Sequence, residues 1–288
     1  MQFTKMHGLG NDYVYIDGIA EDLNPYDLTE LSRLVSDRNF GVGSDGLIVI
    51  LPSETVSFRM RIFNPDGSEA EMCGNGVRAF SKYVYEHGLT SETELTVQTA
   101  AGMIRPSLQV EDGLVVSVRV DMGEPRLARS EIPMTGEPAD QPVVGDLLEV
   151  DGRSIYITCV SMGNPHCIQF VGDVEGAAVS DLGPRIENHP LFPARTNVEF
   201  IEVIDRGQVK MRVWERGAGE TLACGTGASA TCVACVLNEL TDRTIDVHLR
   251  GGTLTIEWSE DNHVYMTGPA VEVYTGELSE AFLAPVRV

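Results

Sequence analysis

Two short segments hold the residues best suited to chemistry. Met72-Cys73-Gly74-Asn75-Gly76 and Ala223-Cys224-Gly225-Thr226-Gly227 both read Cys-Gly-x-Gly, and their cysteines lie 151 residues apart. A cysteine reacts as its thiolate, which the positive end of a helix favours. The first N–H groups of a helix lack intrahelical partners and bind anions. Glycine lets that backbone come close to a ligand. Each segment therefore offers a thiol and a cradle for a carboxylate. Two such thiols, one from each half of the chain, suggest a cleft with a thiol on each face of one tetrahedral carbon. A thiolate would take the proton from one side and a thiol would return one from the other. The helix starts would hold the carboxylate and stabilise the carbanion-like state.

The remaining cysteines, Cys159, Cys167, Cys232 and Cys235, read as buried core residues, the usual fate of this side chain. Cys232-x-x-Cys235 also has the spacing of a redox or zinc pair. It lies inside an apolar helical stretch after Ala228-Ser229-Ala230-Thr231, with no second ligand pair nearby, so no metal is expected. Lys5, Lys82 and Lys210 are the only lysines, and none sits in a recognisable cofactor motif, so no cofactor is expected either.

The elements that must position these segments come in repeating order. Gly10-Asn11 and Gly163-Asn164 each precede a β-rich run, Tyr13 to Asp17 and Cys167 to Val171. The strands Arg59 to Phe63 and Val209 to Trp214 each lead into a cysteine loop. These offsets, 153 and about 150, agree with the cysteine offset and point to a duplicated fold. Further alternation predicts strands at Leu95 to Thr99, Val115 to Val120, Ile155 to Val160, Val198 to Ile204 and Leu254 to Trp258. Leu28, Leu31, Leu34 and Val35 form one helical face; Val77, Phe80 and Val84 form another, stopped near Gly88. The Ala-rich stretch from Cys224 to Leu240 reads as a buried helix. Met122 to Gly145, with four prolines (Pro125, Pro133, Pro138 and Pro142), reads as the crossover between halves.

With 288 residues the chain accommodates two domains and their cores. A net charge of −22 repels phosphates and argues against a nucleic-acid partner. No apolar run approaches the roughly 20 residues of a membrane helix, and Met1 to Gly10 does not look like a signal peptide. Six scattered cysteines form no disulfide scaffold, so a cytoplasmic protein with reduced thiols is expected, with no membrane partner.

The combination Asn64-Pro65-Asp66-Gly67-Ser68, four residues, then Cys73-Gly74-Asn75-Gly76-Val77-Arg78 resembles the signature of the diaminopimelate epimerase family. Lys5-Met6-His7-Gly8-Leu9-Gly10-Asn11-Asp12, Gly163-Asn164-Pro165-His166, and Trp214-Glu215-Arg216-Gly217-Ala218-Gly219-Glu220-Thr221 ahead of Cys224-Gly225-Thr226-Gly227 are similar to its other motifs. The resemblance implies cofactor-free interconversion of LL- and meso-2,6-diaminopimelate, with Cys73 and Cys224 as the two bases. It implies an α+β fold of two similar pseudo-symmetric domains, each a curved sheet around a central helix, with the active site in the cleft between them. Residues 1–122 would form one lobe and 123–276 the other, with Glu277 to Val288 returning to the first. A homodimer is implied. His166 and Glu215 would assist the cysteines or the substrate's amino group. Asn11, Asn64, Asn164, Asn197 and Arg216 would hold the distal end of the substrate, with Glu215 near them; asparagine suits a zwitterion and arginine a carboxylate. Gly74, Asn75, Gly225 and Thr226 would offer N–H groups to the reacting carboxylate. Loop asparagines are more often turn residues, Asn64 and Asn197 above all. Some members of the family carry glutamine where this chain has Gly46, so a side-chain contact there is not expected.

Two sister chemistries compete. A proline or hydroxyproline racemase would share the two-thiol mechanism, but it typically has histidine where Asn75 stands and a different run in place of Glu215-Arg216-Gly217. A phenazine-type isomerase would lack the cysteine pair.

Overall fold

Alternating apolar residues build most of the strands, and two helices that begin just after the cysteine motifs sit against them. The computed structural model describes residues 1–70 and 74–288. The chain forms two compact units: Met1–Val120 with Gly268–Val288, and Asp121–Thr267. In chain order the first unit contains β1 (Gln2–Gly8), β2 (Asn11–Asp17), α1 (Leu28–Ser36), β3 (Leu47–Pro52), β4 (Phe58–Phe63), β5 (Glu69–Ala70), α2 (Gly74–Glu86), β6 (Val97–Thr99), β7 (Gly102–Ile104), β8 (Ser107–Glu111) and β9 (Leu114–Asp121). The second contains β10 (Val143–Val150), β11 (Arg153–Ser161), β12 (Pro165–Phe170), α3 (Val179–Glu187), β13 (Asn197–Asp205), β14 (Gln208–Glu215), β15 (Gly219–Thr221), α4 (Gly225–Leu237), β16 (Thr244–Leu249), β17 (Gly252–Trp258) and β18 (Val264–Gly268). β19 (Val271–Glu277) and the short α5 (Glu280–Leu283) return to the first unit.

The sheet of the first unit runs β19-β1-β2-β3-β4-β6-β7; within the second unit the strand order is β10-β11-β12-β13-β14-β16-β17-β18, and β8 pairs antiparallel with β9. Their pairing senses repeat. β1–β2 is antiparallel, β2–β3 parallel, β3–β4 antiparallel, β4–β6 parallel and β6–β7 antiparallel. β11–β12, β12–β13, β13–β14, β14–β16 and β16–β17 follow the same sequence of senses. β5 pairs with β4 as β15 does with β14. α1 crosses from β2 to β3 as α3 crosses from β12 to β13, and α2 and α4 follow β5 and β15. The outer position next to β1 is filled by β19, and next to β11 by β10, both antiparallel.

The two central helices are each 13 residues long. α4 is apolar and small on nearly every side, with Ala228, Ala230, Cys232, Val233, Ala234 and Cys235 fully buried. A helix buried all round must be enclosed, and α4 packs against β11, β12, β13, β16 and β17. The sheet therefore curls about it. α2 packs against β1, β2, β3 and β19, with Phe80 edge-on to Phe58 of β4. It stops as the sequence expects: Gly88 takes φ +73° and Leu89 N–H reaches back to the Val84 carbonyl. α1 is capped by Asp27, which accepts from the N–H groups of Thr29 and Glu30, and buries Leu31 and Val35.

Three expectations shift. The chain re-enters the first unit at Gly268 rather than Glu277, because Val271–Glu277 is a strand. That strand is exposed along most of its length, so it lacks the alternation that marks a half-buried one. The helix after Cys224 ends at Leu237, short of Leu240. Leu95 is buried, but the strand predicted from it begins only at Val97.

Candidate active site

The second cysteine segment builds a complete helix start. Cys224 is the N-cap of α4 in extended conformation, and its Sγ accepts from Gly227 N–H at 3.3 Å. Thr226 Oγ1 stands 3.5 Å from the same sulfur. Gly227 must be glycine: a Cβ there would lie 2.7 Å from Glu199 Oε1 and 2.9 Å from Met211 Cε. Gly225 and Thr226 open the helix, so their N–H groups are among those no helical carbonyl accepts.

Cys224 is buried, with 6% of the residue exposed. Burial drives the Cys224 thiol well above its ordinary range, and the carboxylates of Glu215 and Glu199 push the same way. The bonds from Thr226 and Gly227 oppose this. The helix start thus does not by itself make a thiolate, as its position in the sequence would suggest. The dry, acidic surroundings outweigh it, and Cys224 rests as a thiol.

Three strands bring polar groups to this thiol. Asn164 precedes β12, and its Nδ2 donates to Thr226 Oγ1 at 3.2 Å. His166 in β12 is fully buried; its Nε2 is 3.0 Å from Asn164 Oδ1 and its Nδ1 is 2.6 Å from Glu199 Oε1. Glu199, in β13 and also fully buried, sits next to His166 because the parallel β12–β13 register pairs His166 with Asn197 and Ile168 with Glu199. Glu215 ends β14 and accepts from Thr221 Oγ1 at 2.5 Å. The turn after it, which carries Arg216, is gripped from below by Glu187. That buried carboxylate accepts from Gly217 N–H at 2.9 Å, Trp214 Nε1 at 2.7 Å and Arg195 Nη1 at 3.0 Å. Arg216 itself is exposed, with Nη1 on the Ala194 carbonyl.

Asn197 plays a structural part here. Its Nδ2 donates to the Pro165 carbonyl at 2.8 Å and its Oδ1 accepts from Arg216 N–H at 2.9 Å, which ties β12 to the Glu215–Arg216 turn. Asn64 likewise builds a turn: its carbonyl accepts from Gly67 N–H, its N–H reaches the Ser68 carbonyl and its Nδ2 donates to Ser68 Oγ.

In the first unit, Cys73 lies outside the described residues. Gly74 and Asn75 open α2, and Asn75 Nδ2 donates to Asn11 Oδ1 at 3.2 Å. Asn11 Nδ2 in turn donates to Asp45 Oδ2 at 2.9 Å. Arg38 bridges Asp45 and Asp12, and Lys5 pairs with Asp12. Burial alone would raise Asp12, but Arg38 and Lys5 hold its carboxyl below the usual range. Gly46 takes φ +151°, and a Cβ there would meet the Phe63 carbonyl at 2.2 Å, so this backbone admits no side chain. Cys232 and Cys235 are both buried, and burial pushes the Cys232 thiol up to about 12. Among the described residues no three His, Cys, Asp or Glu side chains gather as a metal site.

Glu199, Glu187 and Asp45 escape the sequence reading. Glu199 carried a signal: it is an acid inside the otherwise apolar start of a strand, Val198 to Ile201. Glu187 and Asp45 stand in polar surroundings and carry none.

Solved structures share this fold. A phenazine biosynthesis protein of Bacillus anthracis superposes with a TM-score of 0.67 at 19% identity, over 97% of this chain and 99% of its own. A probable proline racemase from Agrobacterium radiobacter K84 gives 0.67 at 15% identity, over 97% and 93%. At these identities the likeness concerns the fold alone. The sequence is more specific: the family model described as diaminopimelate epimerase matches residues 3–128 and 158–273. The diaminopimelate epimerase of Moorella thermoacetica is 59% identical over 278 residues, 96% of this chain and 99% of that protein. The chain belongs to the diaminopimelate epimerase family and is an isomerase. Among the described residues, no helix is long and apolar enough to cross a membrane.

Proposed function

We propose that this enzyme converts LL-2,6-diaminopimelate to the meso isomer, a step that feeds lysine and peptidoglycan precursors, without a cofactor and with Cys73 and Cys224 as the two acid–base groups. The observation that carries this reading is Cys224: a thiol capping a glycine-rich helix start, kept protonated by burial, within a chain whose relatives bear that activity by name. In the direction that starts from a protonated Cys224, Cys73 removes the α-hydrogen as thiolate and Cys224 donates its proton to the opposite face. The reverse reaction exchanges the roles. The reacting carboxylate lies on the N–H groups of Gly74, Asn75, Gly225 and Thr226, where helix starts favour negative charge. Asn11, Asn164, Arg216 and Glu215 orient the distal amino-acid end, Asn64 and Asn197 contribute through the turns they hold, and His166 and Glu215 support the proton transfers. The enzyme works as a homodimer in the cytoplasm.

Chromatographic separation of LL- and meso-diaminopimelate tests this directly. Enzyme dialysed against EDTA, with no pyridoxal phosphate added, is expected to interconvert them, and product formed in D2O is expected to carry deuterium at the inverted carbon. Turnover of proline in preference to diaminopimelate, or activity that returns only with added metal or cofactor, would overturn the reading.

A further inference from the structure

Asn75 is the second residue of α2 and only 7% exposed, yet its side-chain oxygen Oδ1 has no hydrogen-bond partner among the described residues. A buried acceptor left bare costs free energy. The bonds around it impose that orientation. Asp45 is a carboxylate, bonded to Arg38 Nη2 at 2.7 Å, and a carboxylate only accepts. Asn11 therefore turns Nδ2 toward it, at 2.9 Å, and Oδ1 away. Asn75 meets that oxygen with its own Nδ2, at 3.2 Å, and its Oδ1 is the atom left over. Neither amide can turn over alone without setting two oxygens against each other. Asp45 is itself fixed: Oδ2 also accepts from Asp12 N–H at 3.1 Å, and Asp45 N–H donates to the Asp12 carbonyl at 2.7 Å. β1 packs closely on the same asparagine. A Cβ at Gly8 would lie 3.2 Å from the Asn75 carbonyl oxygen and 3.3 Å from Asn75 Cβ.

We infer that Asp45 is a positioning residue: through Asn11 it fixes the Asn75 amide so that Oδ1 accepts from the ammonium group of an amino acid bound at the start of α2. The N–H groups of a helix start attract a carboxylate, and they do so for any organic acid. A lone acceptor among those donors adds a preference for a positive donor beside the carboxylate. In an α-amino acid the ammonium is one carbon away. Its N–H relieves the bare oxygen through a charge-assisted bond. A carboxylic acid without that ammonium offers no donor and leaves the oxygen unpaired. The two residues thus sort amino acids from other acids, a selection that the thiols do not make. The inference rests on the proposed function, in that α2 receives the reacting amino-acid end. With Asp45→Asn, residue 45 can offer N–H as well as oxygen. The Asn11 amide is then free to turn, and Asn75 follows, with Nδ2 in place of Oδ1.

NMR titrations of the full-length protein in a Cys73→Ala background, where no turnover disturbs binding, test this with two ligands. One is meso-diaminopimelate; the other is pimelate, the same chain without either ammonium group. The side-chain carbonyl 13C resonance of Asn75, assigned through its backbone neighbours, is expected to move downfield with diaminopimelate and to stay in place with pimelate. In Asn75→Ala and in Asp45→Asn the dissociation constant of diaminopimelate is expected to rise about tenfold or more, the loss of one charge-assisted bond, and that of pimelate to stay within about twofold. A loss of overall structure would weaken both ligands alike. Equal losses for the two ligands, or none for either, overturn the inference. A resonance that ignores diaminopimelate, or moves alike with both, overturns it even if the variants fail to fold. A wild type that does not epimerise diaminopimelate sinks the proposed function and the inference with it. An active wild type with an unmoved resonance sinks the inference alone.

Discussion

At the scale of single residues, the proposed chemistry concentrates on a thiol whose surroundings work against its ionisation. On the proposed two-base mechanism, Cys224→Ala and Cys73→Ala are each expected to lower epimerisation by roughly two orders of magnitude or more, because each would remove an acid–base group from one face. Initial rates in both reaction directions check this, and near-wild-type turnover in either variant would refute the assignment. The sequence made Cys224 legible through Cys-Gly-x-Gly. It could not show the thiol's state of protonation, since that depends on Glu199 and Glu215, which come from two other strands, and on burial. Asn197 teaches the opposite lesson. Asparagine fits a zwitterionic ligand as well as it fits a backbone clamp, and only the Pro165 and Arg216 partners reveal the clamp.

Single elements set the tolerances of the site. Gly227→Ala would improve helix propensity by about 1 kcal/mol, yet its Cβ would press on Glu199 Oε1 and Met211 Cε. Overpacking of this kind costs about 1–3 kcal/mol, so the variant is expected to melt lower and to lose activity as Glu199 shifts from His166. Gly172→Ala, with nothing within 4 Å of its Cβ, is the control and is expected to melt like wild type. Glu187→Ala removes the acceptor of three hydrogen bonds beneath the Glu215–Arg216 turn. The expected cost is about 2–4 kcal/mol in denaturant unfolding, with KM for diaminopimelate rising more than kcat falls; an unchanged KM would detach this turn from substrate binding. Strands such as β11, β13 and β17 were readable because one face alternates or both faces are apolar. α3 was not, because Gly183 and Pro184 interrupt it. Gly183 is there for packing: a Cβ would lie 2.5 Å from Trp214 Cγ.

The duplicated topology emerges only at the scale of the whole molecule, and three matched offsets in the sequence were its sole trace. At this scale pH also matters. His263 bonds Asp121 at 2.9 Å, and that bond raises its pKa above the ordinary 6.5. A raised histidine stabilises the fold fully below its unfolded value and loses that contribution as pH climbs through the folded one. The Tm of wild type is therefore expected to exceed that of His263→Gln at pH 5.5 and to converge with it by pH 8.5; a gap independent of pH would assign the difference to packing. The outermost strand of each unit carries a last consequence. β10 precedes its partner β11 along the chain, whereas β1 must wait for β19. On the ribosome, Asp121–Thr267 can finish folding while the first unit, although made earlier, still lacks its edge. The amino-terminal half should thus be the later to resist protease on stalled nascent chains, and a permutation that moves Gly268–Val288 ahead of Met1 should reverse that order.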